Sequence, residues 1–188
     1  MAHQKEHKYE AERLKELESY SILDTLEESD YDDITAIASE ICNAPISLIS
    51  LLDNKRQWFK SHHGLDISET PKEYAFCSHA IKDSKEIFII NDARKDNRFS
   101  DNPIVTGNPN VIFYAGVPLL SDNSLPLGTL CVIDNKPNTL SEKQIKSLKS
   151  LANQVMNTLN LRKTKFTLEK TLRELEEKNR ELEQFAYV

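Results

Sequence analysis

In 188 residues the chain carries 30 acidic and 24 basic side chains, a formal charge of -6 and 39% apolar residues; that suits one ordinary domain, or a smaller domain plus an extension, and leaves little room for two large cores. The acidic balance, with no dense Lys/Arg stripe, speaks against nucleic acid, and the longest near-continuous apolar run, residues 44–52, is about half the length of a membrane-spanning helix. Three scattered cysteines, Cys42, Cys77 and Cys131, behind an N-terminus without a signal-peptide core fit a reducing cytoplasm better than a disulfide scaffold.

Residues 1–11 read as a flexible N-terminus, grading into a short amphipathic helix from Tyr9 to Ser19 with Leu14 and Leu17 on one face. Ser29 and Asp32 have the spacing of a capping box, and Ile34, Ile37, Ala38 and Ile41 keep helical period behind them. That helix should stop near Asn43-Ala44-Pro45, because proline disfavours helix at the residue before it. The pattern then turns to strands. Ile46–Leu52 and Gln57–Lys60, separated by the turn residues Asp53-Asn54-Lys55-Arg56, predict a hairpin. Ala75–Ile81 predicts a short helix, and Glu86–Ile90 a further strand. Arg94–Asn110, polar and holding Pro103, Gly107 and Pro109, reads as a long ordered loop of the kind that is usually functional.

Val111–Leu120 and Leu127–Asp134 predict a second hairpin. In its first strand Val111, Phe113, Ala115 and Val117 share one face, and Ile112, Tyr114 and Gly116 the other. In its second strand Leu127, Cys131 and Ile133 oppose Leu130 and Val132. Both faces are too apolar for a sheet with one wet side, so both must be covered. Helices from the two ends of the chain suit one face, and the short helix and long loop the other. Periodicity alone does not distinguish a pocket on that second face from a solid three-layer core.

Ser141 is an N-cap candidate for a long helix with an early stripe of Leu148, Leu151, Ala152, Val155 and Leu159. Farther on, Leu161, Leu168, Leu175 and Leu182 recur every seven residues, with Leu172 and Asn179 among the intervening a positions. Leucine at d and asparagine at a are the pattern of a two-stranded coiled coil. The stripe changes phase between Val155 and Leu161, as expected where a helix leaves its own domain to meet a partner.

Several of these segments together resemble GAF domains of bacterial sensor proteins. The resemblance rests on residues 46–53 followed by Arg56-Gln57-Trp58-Phe59-Lys60, then Phe76-Cys77-Ser78-His79-Ala80-Ile81, Asn91-Asp92-Ala93, Asp96-Asn97-Arg98-Phe99, Phe113-Tyr114-Ala115-Gly116 and residues 127–134, with Leu17–Thr25 upstream. It implies an α+β GAF (PAS-like) fold: an antiparallel sheet of five or six strands flanked by terminal helices, with a small-molecule pocket on the other face in members that bind one. Residues 175–187 in turn resemble the linker before the phosphoacceptor helix of sensor histidine kinases; no histidine follows His79, so the kinase part is not in this chain. The expected division is a flexible segment 1–11, a GAF domain 12–160 and a coiled-coil signalling helix 161–188.

The function expected from this reading is a cytoplasmic sensory module, homodimeric through its terminal helices. It would bind a small ligand or sense through its dimer interface, and transmit through Leu161, Leu168, Leu172, Leu175, Asn179 and Leu182 to a histidine kinase. Candidate ligand contacts are Trp58, Phe59, Cys77, His79, Asp92, Arg98, Phe113, Tyr114 and Cys131; no metal site or catalytic set is expected, and no cofactor is named by the sequence. Cys77 and His79 lack the partners and spacing of a metal site, and at i,i+2 on a helix they point apart. A histidine directly after the attaching cysteine, usual where phytochrome-like GAF domains hold a bilin, is replaced here by Ser78. Two other readings stay open: a thiol-based redox sensor or small redox enzyme using Cys77 or Cys131, and a dimerisation module without ligand.

Overall fold

The computed structural model describes residues 2–83 and 86–186; residue 1 and residues 187–188, the outer limits of two expected segments, lie outside them. The first helix, α1, spans Ala2–Glu18, so the stretch expected to be flexible up to residue 11 is helical. Its run of Glu, Lys, Gln and Ala contains no glycine or proline, and such residues lose little on entering a helix. Helix α2 spans Ser29–Cys42 and ends on Asn43, whose φ of 49° and ψ of 47° form a left-handed cap ahead of Pro45. The expected capping box is not formed. Ser29 is already inside the helix, the N-cap position falls to Glu28, and the Glu28 carboxylate is taken by Lys60 and Arg162 instead of the helix amides.

Six strands follow in one sheet: β1 Ile46–Leu52, β2 Arg56–His63, β3 Glu69–Pro71, β4 Phe88–Ile90, β5 Phe113–Leu120 and β6 Pro126–Asp134, in the spatial order β3-β2-β1-β6-β5-β4. The described pairs are antiparallel. The edge strand β3 has too few residues and too little apolar pattern to be read from sequence; pairing with β2 creates it. Helix α3 spans Phe76–Asp83, and the long loop contains a one-turn helix α4, Pro103–Thr106, capped by the Asn102 side chain. Helix α5 runs from Glu142 to Ala186. At its start Ser141 and Gln144 cap each other reciprocally: the Gln144 amide donates to Ser141 Oγ, and the Ser141 amide donates to Gln144 Oε1.

Each sheet face is dry. On the helix side Ile49, Leu51, Phe113, Ala115, Leu130 and Val132 meet α2, the end of α1 and the first part of α5. On the other side Leu48, Phe59, Tyr114, Cys131 and Ile133 meet α3 and the long loop. Two residues depart from the expected alternation. Leu127 faces the helices because a register shift at Leu119/Leu120 inserts an extra residue in β6, and Val111, just before β5 begins, turns to the loop side.

A second irregularity lies between β1 and β2, where Ile49 pairs with Ser61 but Ser50 pairs with Phe59, leaving Lys60 bulged. Lys60 and Ser61 can then both reach the helix layer. Ser61 Oγ donates to the Asp32 carboxylate, while the buried Lys60 ammonium donates to Leu26 O, Thr25 Oγ1 and Glu28 Oε1.

Candidate functional site

On the loop side of the sheet a set of polar side chains sits in otherwise apolar surroundings. Ser50 on β1 and Thr129 on β6 are cross-strand partners, and their hydroxyls lie 3.1 Å apart. Tyr114 on β5 brings its phenol to 3.2 Å from the Thr129 hydroxyl. Cys77, in the first turn of α3, drops its sulfur into the middle: 3.0 Å from Ser50 Oγ, 3.0 Å from Thr129 Oγ1 and 3.3 Å from Tyr114 Oη. Cys131, one register step along β6, completes the cluster on the same face. All five residues are buried. Ser50, Cys77, Tyr114 and Thr129 satisfy one another's hydrogen bonds, which is how hydroxyls and a thiol are tolerated in a dry interior.

The electrostatics separate the two thiols. Burial opposes ionisation of Cys77, but hydrogen bonds from Cys131, Ser50, Thr129 and Tyr114 to its sulfur outweigh it and hold its pKa below the usual thiol value. Cys131 moves the opposite way, raised first by its hydrogen bond to Cys77 and then by burial. Burial, with the neighbouring thiols, also lifts the Tyr114 phenol well above its ordinary range. Cys42, alone on the helix side of the sheet, shows what burial does without such partners: its pKa is pushed up to about 11.

Beside this cluster is a narrow apolar cavity of about 40 Å³, walled by Leu48, Phe59, Phe76, Cys77, Val111 and Tyr114. A liquid water molecule claims about 30 Å³ and ligand pockets usually span about 300–1,000 Å³. In its described shape the cavity therefore admits a water-sized molecule and no nucleotide or metabolite of ordinary size.

Of the candidate contacts, Cys77, Tyr114 and Cys131 come together in the cluster and Phe59 walls the cavity. Trp58 and Phe113 do not join them. The pleat turns Trp58 away from Phe59 and Phe113 away from Tyr114, so both pack in the helix-side core. His79 lies outside the polar cluster, edge-on to the Phe99 ring with centroids 4.8 Å apart. Asp92 and Arg98 line an open groove at the sheet end, where Asp92 pairs with Arg94 at 2.9 Å and Arg98 with Asp96 at 2.6 Å. Arg98 also lies over the Phe88 and Phe99 rings. Sequence reasoning missed Ser50 and Thr129. Their signal was present: each is a hydroxyl residue inside an apolar strand, on the face that also carries Tyr114 and Cys131.

The other notable region is where α5 leaves the core. Asn160 accepts a hydrogen bond from the Tyr20 phenol, Arg162 pairs with Glu28 at 2.8 Å, and Lys163 pairs with Glu16 at 3.2 Å and lies over the Tyr20 ring. Glu28 Oε1 thereby accepts from both Lys60 of the β2 bulge and Arg162 of α5. Within this collar and beyond it, Leu161, Leu168, Leu172, Leu175 and Leu182 are exposed by 71, 59, 49, 55 and 66%, and Asn179 is exposed as well. At 100° per residue, Leu161 stands about 200° round the helix from Leu159. The leucine row starts on the side facing away from the chain's own sheet.

Comparison with known proteins agrees with the architecture. Residues 28–159 match the GAF domain family. A cyclic di-GMP phosphodiesterase of Pseudomonas aeruginosa is 44% identical over 143 residues, which are 75% of this chain and 24% of that protein; the chain thus spans about a quarter of the length of that relative. Among solved structures, the GAF domain of an Acinetobacter phosphoenolpyruvate-protein phosphotransferase superposes with a TM-score of 0.59 at 20% identity, covering 80% of this chain and 92% of the other. The PixJ GAF domain of Thermosynechococcus elongatus, in its blue-light absorbing form, gives 0.58 at 14% identity, covering 79% and 92%. At such identities these two likenesses speak for the fold alone.

Proposed function

The chain belongs to the GAF domain family, and from that premise we propose that it is a dimeric signal-transmitting unit: a GAF domain over residues 12–160 that drives a coiled-coil helix over 161–188. The observation that carries the reading is the leucine row of α5, exposed along its length and pointing away from the domain that precedes it. A single chain gains nothing from that row; two parallel copies bury it, with Asn179 at an a position favouring two strands in one register. The polar collar at residues 160–163 supports the direction of transmission. It links the sheet, through Lys60 and Glu28, to the point where α5 departs. A change in the loop-side cluster or in the dimer contact would bias two packings of the helix pair.

For the output, the similarity of residues 175–187 to histidine kinase linkers favours a phosphoacceptor helix downstream. A second reading has its own support: the Pseudomonas aeruginosa relative is a cyclic di-GMP phosphodiesterase, and a helix pair can drive that type of output equally well. A small-molecule signal at the thiol cluster would require α3 and the loop to part, since the cavity beside Cys77 is only about 40 Å³, whereas the groove lined by Asp92 and Arg98 is already open. No described helix is long and apolar enough to cross a membrane, and the three unpaired cysteines favour the cytoplasm.

Solution mass tests the dimer. Light scattering of the chain should return twice the monomer mass, and Leu168→Glu with Leu175→Glu should halve it without changing the folded GAF domain. A wild-type chain that stays monomeric at tens of micromolar, roughly the range where weak pairing is populated, would sink the reading.

A further inference from the structure

The buried thiol cluster has a use that the transmitting role of α5 does not explain. Ser50, Tyr114 and Thr129 bring hydroxyls to a single sulfur, a second thiol belongs to the same buried cluster, and the cavity beside them is water-sized. If the cysteines served packing alone, an apolar residue of similar volume would fill the site without the cost of burying three hydroxyls. We propose that Cys77 and Cys131 are a peroxide-responsive thiol pair, in which Cys77 is oxidised first and Cys131 resolves it to an intramolecular disulfide between α3 and β6.

The reaction balances with hydrogen peroxide as the oxidant. The Cys77 thiolate attacks one peroxide oxygen, a sulfur–oxygen bond forms, and the oxygen–oxygen bond breaks. Cys77 releases its proton to solvent water on ionising, and the departing hydroxide takes one up from solvent water and leaves as water. Cys77 is now a sulfenic acid, oxidised by two electrons. Cys131 then loses its proton and attacks the Cys77 sulfur; the sulfur–sulfur bond forms, the sulfur–oxygen bond breaks, and the second oxygen leaves as water. Two thiols and one peroxide have become one disulfide and two waters. A dithiol reductant reverses the change by thiol–disulfide exchange.

Three features of the site fit these steps. The hydroxyls around Cys77 can donate to a thiolate, and the same donors suit the developing charge on the leaving oxygen. The cavity of about 40 Å³ beside Cys77 is of the size of a molecule of two oxygens. Cys131 lies two residues from Thr129 on β6 in the same buried cluster, and its hydrogen bond to Cys77, its burial and the charge on Cys77 oppose its ionisation, which keeps the two roles distinct: Cys77 attacks the oxidant, and Cys131 acts once Cys77 is oxidised. Cys42, on the opposite face of the sheet, has no such surroundings and serves as an internal reference.

The test treats the intact chain, freshly reduced and freed of reductant, with hydrogen peroxide while its far-ultraviolet circular dichroism is followed. Samples are quenched by alkylation, and the peptides are mapped by mass spectrometry. The expected result is a Cys77–Cys131 disulfide that forms at least about tenfold faster than Cys42 is lost, with the dichroism unchanged, and that a dithiol removes. In Cys131→Ser, a 1,3-diketone added together with denaturant after the peroxide is removed should trap a sulfenic acid on Cys77. The proposal is overturned if Cys77 stays reduced, if it is consumed no faster than Cys42, if it overoxidises in the wild-type chain without linking to Cys131, or if the disulfide forms only as native dichroism is lost. The solution mass of the chain is a separate readout, so failure here leaves the coiled-coil reading standing, and the reverse also holds.

Discussion

At the residue scale the loop-side cluster depends on an absence. The Tyr114 phenol lies across Gly116: a Cβ built there would stand 2.2 Å from Tyr114 Oη and 2.7 Å from Cζ. Gly116 is thus the space into which the ring folds so that its hydroxyl reaches Cys77 and Thr129. Gly116→Ala should push the ring out of the cluster and cost about 1–3 kcal/mol, the usual range for overpacking a full interior. Adding Tyr114→Phe should recover only part of that loss, because Cζ remains in the way after the hydroxyl has gone. Urea denaturation of the single and double variants checks this, and a neutral Gly116→Ala would show that the ring has other room. Phe59, Cys77, Tyr114, Gly116 and Cys131 are each visible in the sequence as motif residues. What was not visible was which aromatic faced which side. Period 2 predicts that Trp58 and Phe59 diverge, but only the placement of α2 and α5 decides that Trp58 goes to the helices.

At the element scale the extra residue in β2 matters most. The bulge at Lys60 lets a strand contribute a buried ammonium to the helix layer, where it meets Glu28 at 2.7 Å and lies over the Tyr31 ring at 5.2 Å. Such an arrangement gives an asymmetric expectation. Glu28→Gln leaves the Lys60 ammonium buried with only neutral acceptors and strips Arg162 of its partner, so it should cost about 1–3 kcal/mol. The half-exposed position of Glu28 keeps that figure below the full cost of breaking a buried pair. Lys60→Met should cost less, because it removes the charge together with the price of its desolvation and leaves Glu28 paired to Arg162. Thermal unfolding of the two variants decides it; a larger loss for Lys60→Met would mean that the ammonium contributes more by bridging Leu26 O and Thr25 than by its charge. Hydrophobic period located α2, β1, β5 and the start of α5 well because each packs an apolar face. It failed at the bulge, at the short edge strand β3 and at the N-cap of α2, where long-range polar partners rather than local pattern determine the backbone. Glu28 holds the N-cap position through its backbone carbonyl alone, while Lys60 and Arg162, neither near it in sequence, take its carboxylate.

At the scale of the whole molecule, α5 is two helices in energetic terms. Its first part is held by Leu148, Ala152, Val155, Met156 and Leu159 against the sheet. From Lys170 to Gln184 every residue is exposed, and a solvated helix of that length is marginal in water even for good helix formers. The Lys170–Glu174 pair at 3.9 Å supplies only a few tenths of a kcal/mol. If burial of the leucine row in a partner is what keeps this segment helical, its helicity must depend on concentration while the domain does not. Dilution through the dimer dissociation range should therefore lower the ellipticity at 222 nm. The fluorescence of Trp58, the single tryptophan, buried in the helix-side core, should stay constant over the same range. Simultaneous loss of both signals would mean that the GAF domain itself needs the dimer to fold. Constant ellipticity down to a monomeric mass would mean that the helix stands alone, and the leucine row would then have no role in pairing.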